Sequence, residues 1–379
     1  MDTNQIYALV NSTAQQAIGE TALAVLDTQS LVALGNTILS SSTNTEAFLN
    51  SLCQRIGKTI FAYREYRNKF SDFVVDDFEM GAILQKISFK LFQAEEDPSF
   101  ELTDGQSVDM YEVSKPVVDQ KLFVKRTPYM FHVTIARELV KEAFNSVGAM
   151  DSFIGYVFGM MRNSIEYSLE NLGRLTLANM IMEADKTASR RILLLTEYNA
   201  IIGADGEPES PPALTAANAL YDEGFLRYAI GRINMISDAF TDMSVEYNDG
   251  SIERFTPYAD QKIILLNEFN RLAQTQVQYA AFNKNLISVS GAFQTVNYWQ
   301  SQQSPRNISV KRTSDGVNAS KTGVIAVLSD RQAFGVYQTD EDVLTSPVNA
   351  AGRYYNTFYH LKRLWFNDVS ENFVFFLLA

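Results

Sequence analysis

Reactive side chains are scarce in this chain. Cys53 is the single cysteine, so no intramolecular disulfide can form, and a reducing compartment or indifference to redox is implied. Cys53 reads as a small buried hydrophobe. The two histidines, His132 and His360, lie far apart, each among aromatic or β-branched residues. A metal centre or a nucleophilic site needs His, Cys and carboxylates at ligand spacing, and no such cluster occurs. No apolar run reaches membrane length. Met1-Asp2-Thr3-Asn4-Gln5 lacks the basic start and apolar core of a signal peptide. The expectation is a cytoplasmic product with no catalytic residue, no cofactor, no metal and no membrane segment.

Positive charge is in deficit as well: 32 Lys and Arg stand against 44 Asp and Glu, a net charge of −12. Such a surface is soluble and self-repelling, and it argues against gripping a nucleic-acid backbone, which takes clustered Lys and Arg. Proximity to DNA stays open, because a container gains from walls that do not hold the cargo. Acidic groups at Asp76-Asp77, Glu95-Glu96-Asp97 and Asp340-Glu341-Asp342 sit in polar, turn-like contexts and read as solvated loops. Gly316 to Thr322 faintly resembles a phosphate-binding loop. Ser320 stands where the second glycine is required and a strand follows, so that reading is rejected.

What is present is a folded protein's composition, 46% hydrophobic and 20% charged, with 18 Tyr and 25 Phe suited to large contact surfaces. The dominant pattern runs from Asp151 to Lys186. Ile154, Phe158, Met161, Ile165, Leu169, Leu172, Leu175, Ala178 and Met182 recur at helical spacing without a proline. Asp151 is the expected N-cap, and the rod would reach on the order of 50 Å. Arg162, Glu166, Glu170, Arg174 and Glu183 rule out a membrane span. Gly155 and Gly159 break a heptad seam and suggest close approach of a neighbouring backbone. One long helix laid against sheets of its own subunit is expected.

Around this rod the texture changes several times. Residues 1–57 read as helices too poor in apolar surface to fold alone, with Thr43 and Glu46 as a capping box. Ile87, Phe89 and Leu91 alternate with Ser88 and Lys90, and Leu122 and Val124 with Phe123 and Lys125. These are strands of a long hairpin with an acidic, turn-rich tip. Such a hairpin is marginal in water unless covered, so it should lie across another subunit. Val133 to Asn145 reads as a short helix and Arg190 to Tyr198 as a buried strand. Gly203 to Pro212 is an exposed loop, and Thr215 caps a helix through Ile236. Asn248-Asp249-Gly250-Ser251 is the strongest hairpin signal. Ile263 to Leu266 and a helix around Phe269 to Ala281 follow, and Ser301 to Gly323 reads as a linker. Strands then return and end in the apolar Phe373 to Ala379, which must be buried in a sheet or interface.

This order resembles the major capsid proteins of tailed bacteriophages, an α+β fold of the Hong Kong 97 type. Its parts map as N-arm (1–57), extended hairpin or E-loop (58–130), P-domain with spine helix (131–189), A-domain (190–310) and a return to P-domain strands (311–379). Three local stretches are similar to capsid proteins of small short-tailed phages: Phe255 to Asn267, Val277 to Asn283 and Ile325 to Val336. The resemblance implies hexamers and pentamers closed into an icosahedral virion shell around double-stranded DNA, without sequence-specific binding and assembled in the host cytoplasm. The family's fused scaffold would need a longer N-terminal extension, so a separate scaffolding protein is expected. A portal protein and cement or head-fibre proteins are the further partners it admits. Lys86, Lys90 and Lys115 are cross-link candidates by location alone, and that chemistry is not carried over. The subunit-contact regions nominated are the hairpin tip, Asp97 to Gly105, and the loop from Gly203 to Pro212. Two alternatives are an encapsulin-like compartment on the same fold and a soluble enzyme using carboxylates or backbone only.

Overall fold

The computed structural model describes residues 3–19, 24–55, 68–70, 73–75, 84–92, 94, 97, 103–105, 107, 111, 113, 115–124, 126–203, 211–280 and 293–379. Helices α1 (Thr3–Ile18), α2 (Thr28–Leu39) and α3 (Ser42–Arg55) open the chain. Asp27 starts α2 by accepting from the Ser30 N–H at 2.7 Å, while Ser30 Oγ accepts from the Asp27 N–H at 2.9 Å, a reciprocal capping box. The box expected at Thr43 and Glu46 does not start α3. That helix begins at Ser42, which leaves Thr43 inside it. The Cys53 side chain, Asp76-Asp77 and Glu95-Glu96 lie outside the described residues, as does the side chain of Asp340.

Next come β1 (Val74–Val75), β2 (Leu84–Phe89), β3 (Val118–Phe123), β4 (Arg126–Ala136), α4 (Arg137–Ala143), α5 (Val147–Ile154), a π turn (Gly155–Gly159) and α6 (Met160–Ala184). The expected helix from Val133 is therefore strand as far as Ala136, because β4 stays paired with a later strand to that residue. The long helix is real and starts earlier than expected. Ser146 Oγ accepts from Ala149 N–H at 3.1 Å and caps it, so Asp151 lies inside the first turns. Gly155 and Gly159 bracket the π turn, where the helix absorbs an extra residue. A Cβ built on Gly159 meets nothing within 4 Å, so no backbone approaches there. The close approach is at Gly173, where a Cβ would lie 3.0 Å from Phe70 Cβ.

The remaining elements are β5 (Arg191–Leu193), α7 (Leu194–Ile201), α8 (Glu223–Ala239), β6 (Gln261–Leu266), α9 (Asn267–Ala280), β7 (Phe293–Val296), β8 (Ile308–Lys311), β9 (Asn318–Lys321), β10 (Val324–Asp330), β11 (Phe334–Thr345), β12 (Tyr354–Asn367) and β13 (Phe373–Leu377). Two compact units result. The first comprises Met1–Ala82, Lys125–Gly173 and Val336–Trp365; the second comprises Ile83–Val124, Arg174–Gly335 and Phe366–Ala379.

The first unit holds a sheet in the order β1-β11-β12-β4, with β12 and β4 antiparallel from Tyr354↔Ala136 to Leu364↔Arg126. Leu169 and Leu172 of α6 pack on Tyr129, Val336 and Trp365, as the helical stripe requires. The N-terminal helices complete this core. Ile6, Val10, Leu31, Leu34, Ile38, Phe48 and Leu52 are buried with Val140, Phe144, Phe153, Tyr355 and Tyr359. Phe48 and Phe144 meet at 5.4 Å between ring centres. An arm too small to bury itself thus finds its partner surface within its own chain. In the stripe, Leu175 departs from expectation at 47% exposed, and the Phe158 side chain lies outside the described residues.

The second unit is built on the sheet β5-β13-β10-β6-β7. Every residue of β10 and β13 is buried, which is why β13 and Val324 to Leu328 of β10 read as unbroken apolar runs. Three local expectations fail here for identifiable reasons. Arg191 to Leu193 pair in parallel with Phe375 to Leu377, and where β13 ends the chain turns helical as α7, so the strand expected through Tyr198 is short. α8 is capped by Asp222, which accepts from the Phe225 N–H at 2.7 Å, leaving Thr215 in the preceding turn. At Asn248 to Ser251 the turn forms but the hairpin does not. The buried Asn248 amide donates to Ile252 O at 2.9 Å, taking a carbonyl a ladder would use, and only a single bridge, Ser244↔Arg254, remains. Within the expected linker, β8 and β9 make a small hairpin of their own.

Candidate assembly surfaces

Strand alternation sets the first surface. β2 and β3 pair antiparallel from Leu84↔Phe123 to Phe89↔Val118, so Lys86, Ser88, Asp119, Lys121 and Phe123 share one face and Ile87, Phe89, Val118 and Leu122 the other. The polar face is the one turned in. Ser88 is 6% exposed, whereas Ile87 and Phe89 are 52% and 62% exposed.

The inward face plugs into the corner between β12 and β13. Lys86 Nζ lies 2.8 Å from Asp368 Oδ2 and 2.6 Å from Glu371 Oε1, and Lys121 Nζ lies 3.0 Å from Asp368 Oδ1. Arg254 Nη2 reaches Ser88 Oγ at 2.5 Å and Glu371 Oε1 at 3.3 Å. Ser370 Oγ donates to Asp368 Oδ1 at 2.7 Å, and Phe123 meets Phe366 at 5.1 Å. The two carboxylates respond in opposite senses. Burial pushes Asp368 up, but the Lys86 charge and hydrogen bond, Ser370 and Lys121 outweigh it and hold the acid at about 2. Glu371 is pushed up by burial, which Lys86 and Arg254 only partly offset. Behind them Arg190 is buried, its Nε donating to Phe373 O at 3.1 Å. Burial lowers it to about 10 against the pull of Asp249, Asp368 and Glu183.

A second surface follows α7. Gly203, at φ +69°, ends that helix in the left-handed conformation. Across the loop, Asn199 Nδ2 donates to Leu214 O and Leu214 N–H donates to Asn199 Oδ1, both at 3.0 Å. This two-bond clasp pins both ends while Ile201, Pro211 and Pro212 remain exposed. Beneath it, Tyr228 Oη donates to Glu197 Oε2 at 2.6 Å and Arg232 Nε to the same oxygen at 3.0 Å. Burial and that hydrogen bond push Tyr228 up to about 12. All three groups are spent on one another, which is a brace between α7 and α8.

Of the nominated residues, Asp97 and Gly105 are exposed, Gly105 at φ +89°, and Gly203 and Pro212 are exposed at the two ends of the clasped loop. The nominations missed Lys121, Arg254, Asp368 and Glu371. Lys86, considered only for cross-linking, is engaged by carboxylates of its own chain. The structure also brings the two histidines to one sheet face: His132 stacks on Phe358 at 4.7 Å with planes 8° apart, and His360 lies 6.3 Å from the same ring. A third surface runs along the long helix, where Tyr156, Met160, Tyr167 and Leu175 are exposed at near-helical spacing. Among the described residues no group of three or more His, Cys, Asp or Glu is placed to hold a metal ion, and no helix is long and apolar enough to cross a membrane. An open groove of about 550 Å³ between α2 and α4 is rimmed by Asn36, Glu138, Lys141 and Glu142, and Glu138 is paired with Arg353 at 2.9 Å.

Comparison with solved structures places this fold among phage capsid subunits. The capsid of Staphylococcus phage Andhra superposes with a TM-score of 0.52 at 10% identity, covering 85% of this chain and 87% of that one. A chain from the structure of the head fibre and inner core protein gp22 of native bacteriophage P68 gives 0.51 at 10% identity, covering 85% and 87%. The chain belongs to the Phi29-like phage major capsid protein family, whose profile matches residues 8–377. Relatives include the major capsid proteins of Bacillus phage B103, 23% identical over 95% of this chain and 70% of that one, and of Bacillus phage PZA, 22% identical over 98% and 72%. Its role is structural: it is the major capsid protein from which the icosahedral shell of the virion is assembled. This membership favours a phage shell over the encapsulin-like and enzymatic alternatives.

Proposed function

We propose that the shell is built from hexamers and pentamers in which the outer face of β2 and β3 lies on a neighbouring copy. The observation that carries this reading is the inverted hairpin: Ile87, Phe89, Val118 and Leu122 face out of a chain that has apolar surface to bury. Such contacts are heterologous and close rings. The same reading gives the hairpin tip, Asp97 and Gly105, to a second neighbour contact and the clasped loop between Gly203 and Pro212 to the capsomer centre. The parts are N-arm 1–57, E-loop 58–130, spine-helix P-domain 131–189, A-domain 190–310 and returning strands 311–379. The proposed partners are a separate scaffolding protein, a portal protein and cement or head-fibre proteins. DNA is enclosed without sequence-specific contacts, in keeping with the net charge of −12, and the subunit has no catalytic role.

The test is negative-stain microscopy and sedimentation of the purified chain, with and without a scaffold partner, and assay of nucleic acid in any large species. Closed polyhedra, tubes or hexamer sheets are expected. A homogeneous monomer or dimer under all conditions overturns the reading.

A further inference from the structure

The hairpin root has chemistry that an assembly contact alone does not require. A short hairpin whose only task is to carry an apolar face outward needs no more than packing beneath it, as Phe123 on Phe366 supplies. Here its inner face carries two lysines, and both are met by buried carboxylates from the β12–β13 corner. Asp368 is wholly buried at its side chain and Glu371 nearly so, whereas Lys86 and Lys121 keep some contact with water. The corner itself is rigid. The Asp368 N–H donates to Ala333 O at 2.7 Å, the Phe373 N–H to Tyr247 O at 2.9 Å and the Asp330 N–H to Asn372 O at 2.8 Å. A rigid anionic socket and a two-lysine plug determine the direction in which the outer face points.

We propose that Lys86, Lys121, Asp368 and Glu371 are positioning residues for assembly, a charge latch that aims the apolar face of the hairpin. The aim matters through the shell reading above, on which this inference rests. The latch itself is a property of the single subunit.

The charged surroundings determine how the latch responds to pH. From the hairpin, Lys86, Lys121 and Asp119 share the inward face. From the 244–254 turn come Arg254 and Asp249, the latter 3.9 Å from Lys121. Arg190 and Asp330 act from the core side. Lifting the hairpin takes away Lys86, which holds Glu371 down, and leaves the buried Asp330 carboxylate that pushes it up, so Glu371 takes a proton more readily still in the lifted state and acid favours lifting through this carboxylate before Asp368 responds. Asp368, held by both lysines and Ser370, keeps its charge to much lower pH. A single uniform ion-pair cluster would release in one step.

Hydrogen exchange of the unassembled full chain, corrected for the intrinsic pH dependence of exchange, tests the latch. Lys86→Met and Asp368→Asn are expected to speed exchange of the β2 and β3 amides at least tenfold at pH 7 while β10 and β13 amides hold. Lowering the pH from 7 to 4.5 speeds hairpin exchange in the native sequence, and Glu371→Gln at pH 7 reproduces that faster rate and removes its pH dependence. Unchanged hairpin rates in Lys86→Met and Glu371→Gln would overturn the proposal. Because Asp368→Asn sits in the socket and can disturb folding, Lys86→Met, at the hairpin end of the latch, keeps the test decisive. Negative-stain microscopy of the same variants separates the two readings. A loosened hairpin with aberrant or absent particles supports both, a loosened hairpin with normal shells overturns its aiming role, and no particles even from the native chain overturns the shell reading while leaving the latch intact.

Discussion

The two-stranded hairpin and the centre of the five-stranded sheet are made of similar residues and are used in opposite ways. β13 and β10 from Val324 to Leu328 are apolar on both faces and covered on both; β2 and β3 carry the apolar residues Ile87, Phe89, Val118 and Leu122 on one face, and that face is outside. A sheet centre is complete within its own chain, so its hydrophobic surface goes into stability. In the proposed shell the hairpin keeps this apolar surface for a second copy, and within its own subunit it is fastened by charge. Burial within the subunit and burial within the shell would then be divided between strands, with salt bridges at the root of the strands whose apolar face is turned outward.

Breaking the sheet side of this comparison gives the largest effect. Phe375→Ala, in fully buried β13, is expected to cost about 3–5 kcal/mol in urea unfolding, against which a hairpin substitution should look mild. Next is Asp368→Asn. Removing one partner of a buried pair costs about 3–5 kcal/mol, and the partial exposure of Lys86 and Lys121 reduces this to about 2 kcal/mol. It carries a pH signature. Asp368 is held below the ordinary aspartate value, so its contribution is present above pH 3.8 and is lost as pH falls toward about 2. Stability measured across that window should fall in the native sequence and stay flatter in the variant. Glu371 works with the opposite sign. Its raised value means the folded chain binds the proton first, so its charge costs stability as pH rises past that value. Glu371→Gln should flatten the slope above pH 4.5, an effect of about 1 kcal/mol or less. The smallest effect sharpens the contrast most: Phe89→Ser should leave subunit stability within about 0.5 kcal/mol yet depress particle yield in sedimentation.

The parts legible in the sequence were those written in long, unbroken patterns. The rod from Val147 to Ala184 declares itself because helical spacing holds over many turns, β13 and the Val324–Leu328 stretch of β10 because buried strands carry continuous apolar runs, and β12 because its buried and exposed positions alternate. Ends and short elements were less legible. Ser146 rather than Asp151 caps the rod, and the pattern alone does not choose between two good caps a few residues apart. Asn-Asp-Gly-Ser gave the turn at 248–251 correctly, but the buried Asn248 amide competes for the carbonyl the ladder needs. The hairpin root was least legible, since Lys121 and Asp368 are 247 positions apart and nothing local distinguishes them from solvated charges. The polar parity of Lys86, Ser88 and Lys121 along the paired strands would ordinarily place that face in solvent, and it is the distant carboxylates of Asp368 and Glu371 that turn it inward.

The Asn199–Leu214 clasp has a consequence for how this subunit tolerates change. Two hydrogen bonds tie position 199 to position 214, so the two ends of the intervening span are fixed to each other. Lengthening a closed loop is cheap, about 0.6 kcal/mol for each doubling, and the α7–α8 brace does not depend on it. An insertion between Gly203 and Pro211 is therefore expected to leave the midpoint of subunit unfolding nearly unchanged, which thermal unfolding of such a variant checks.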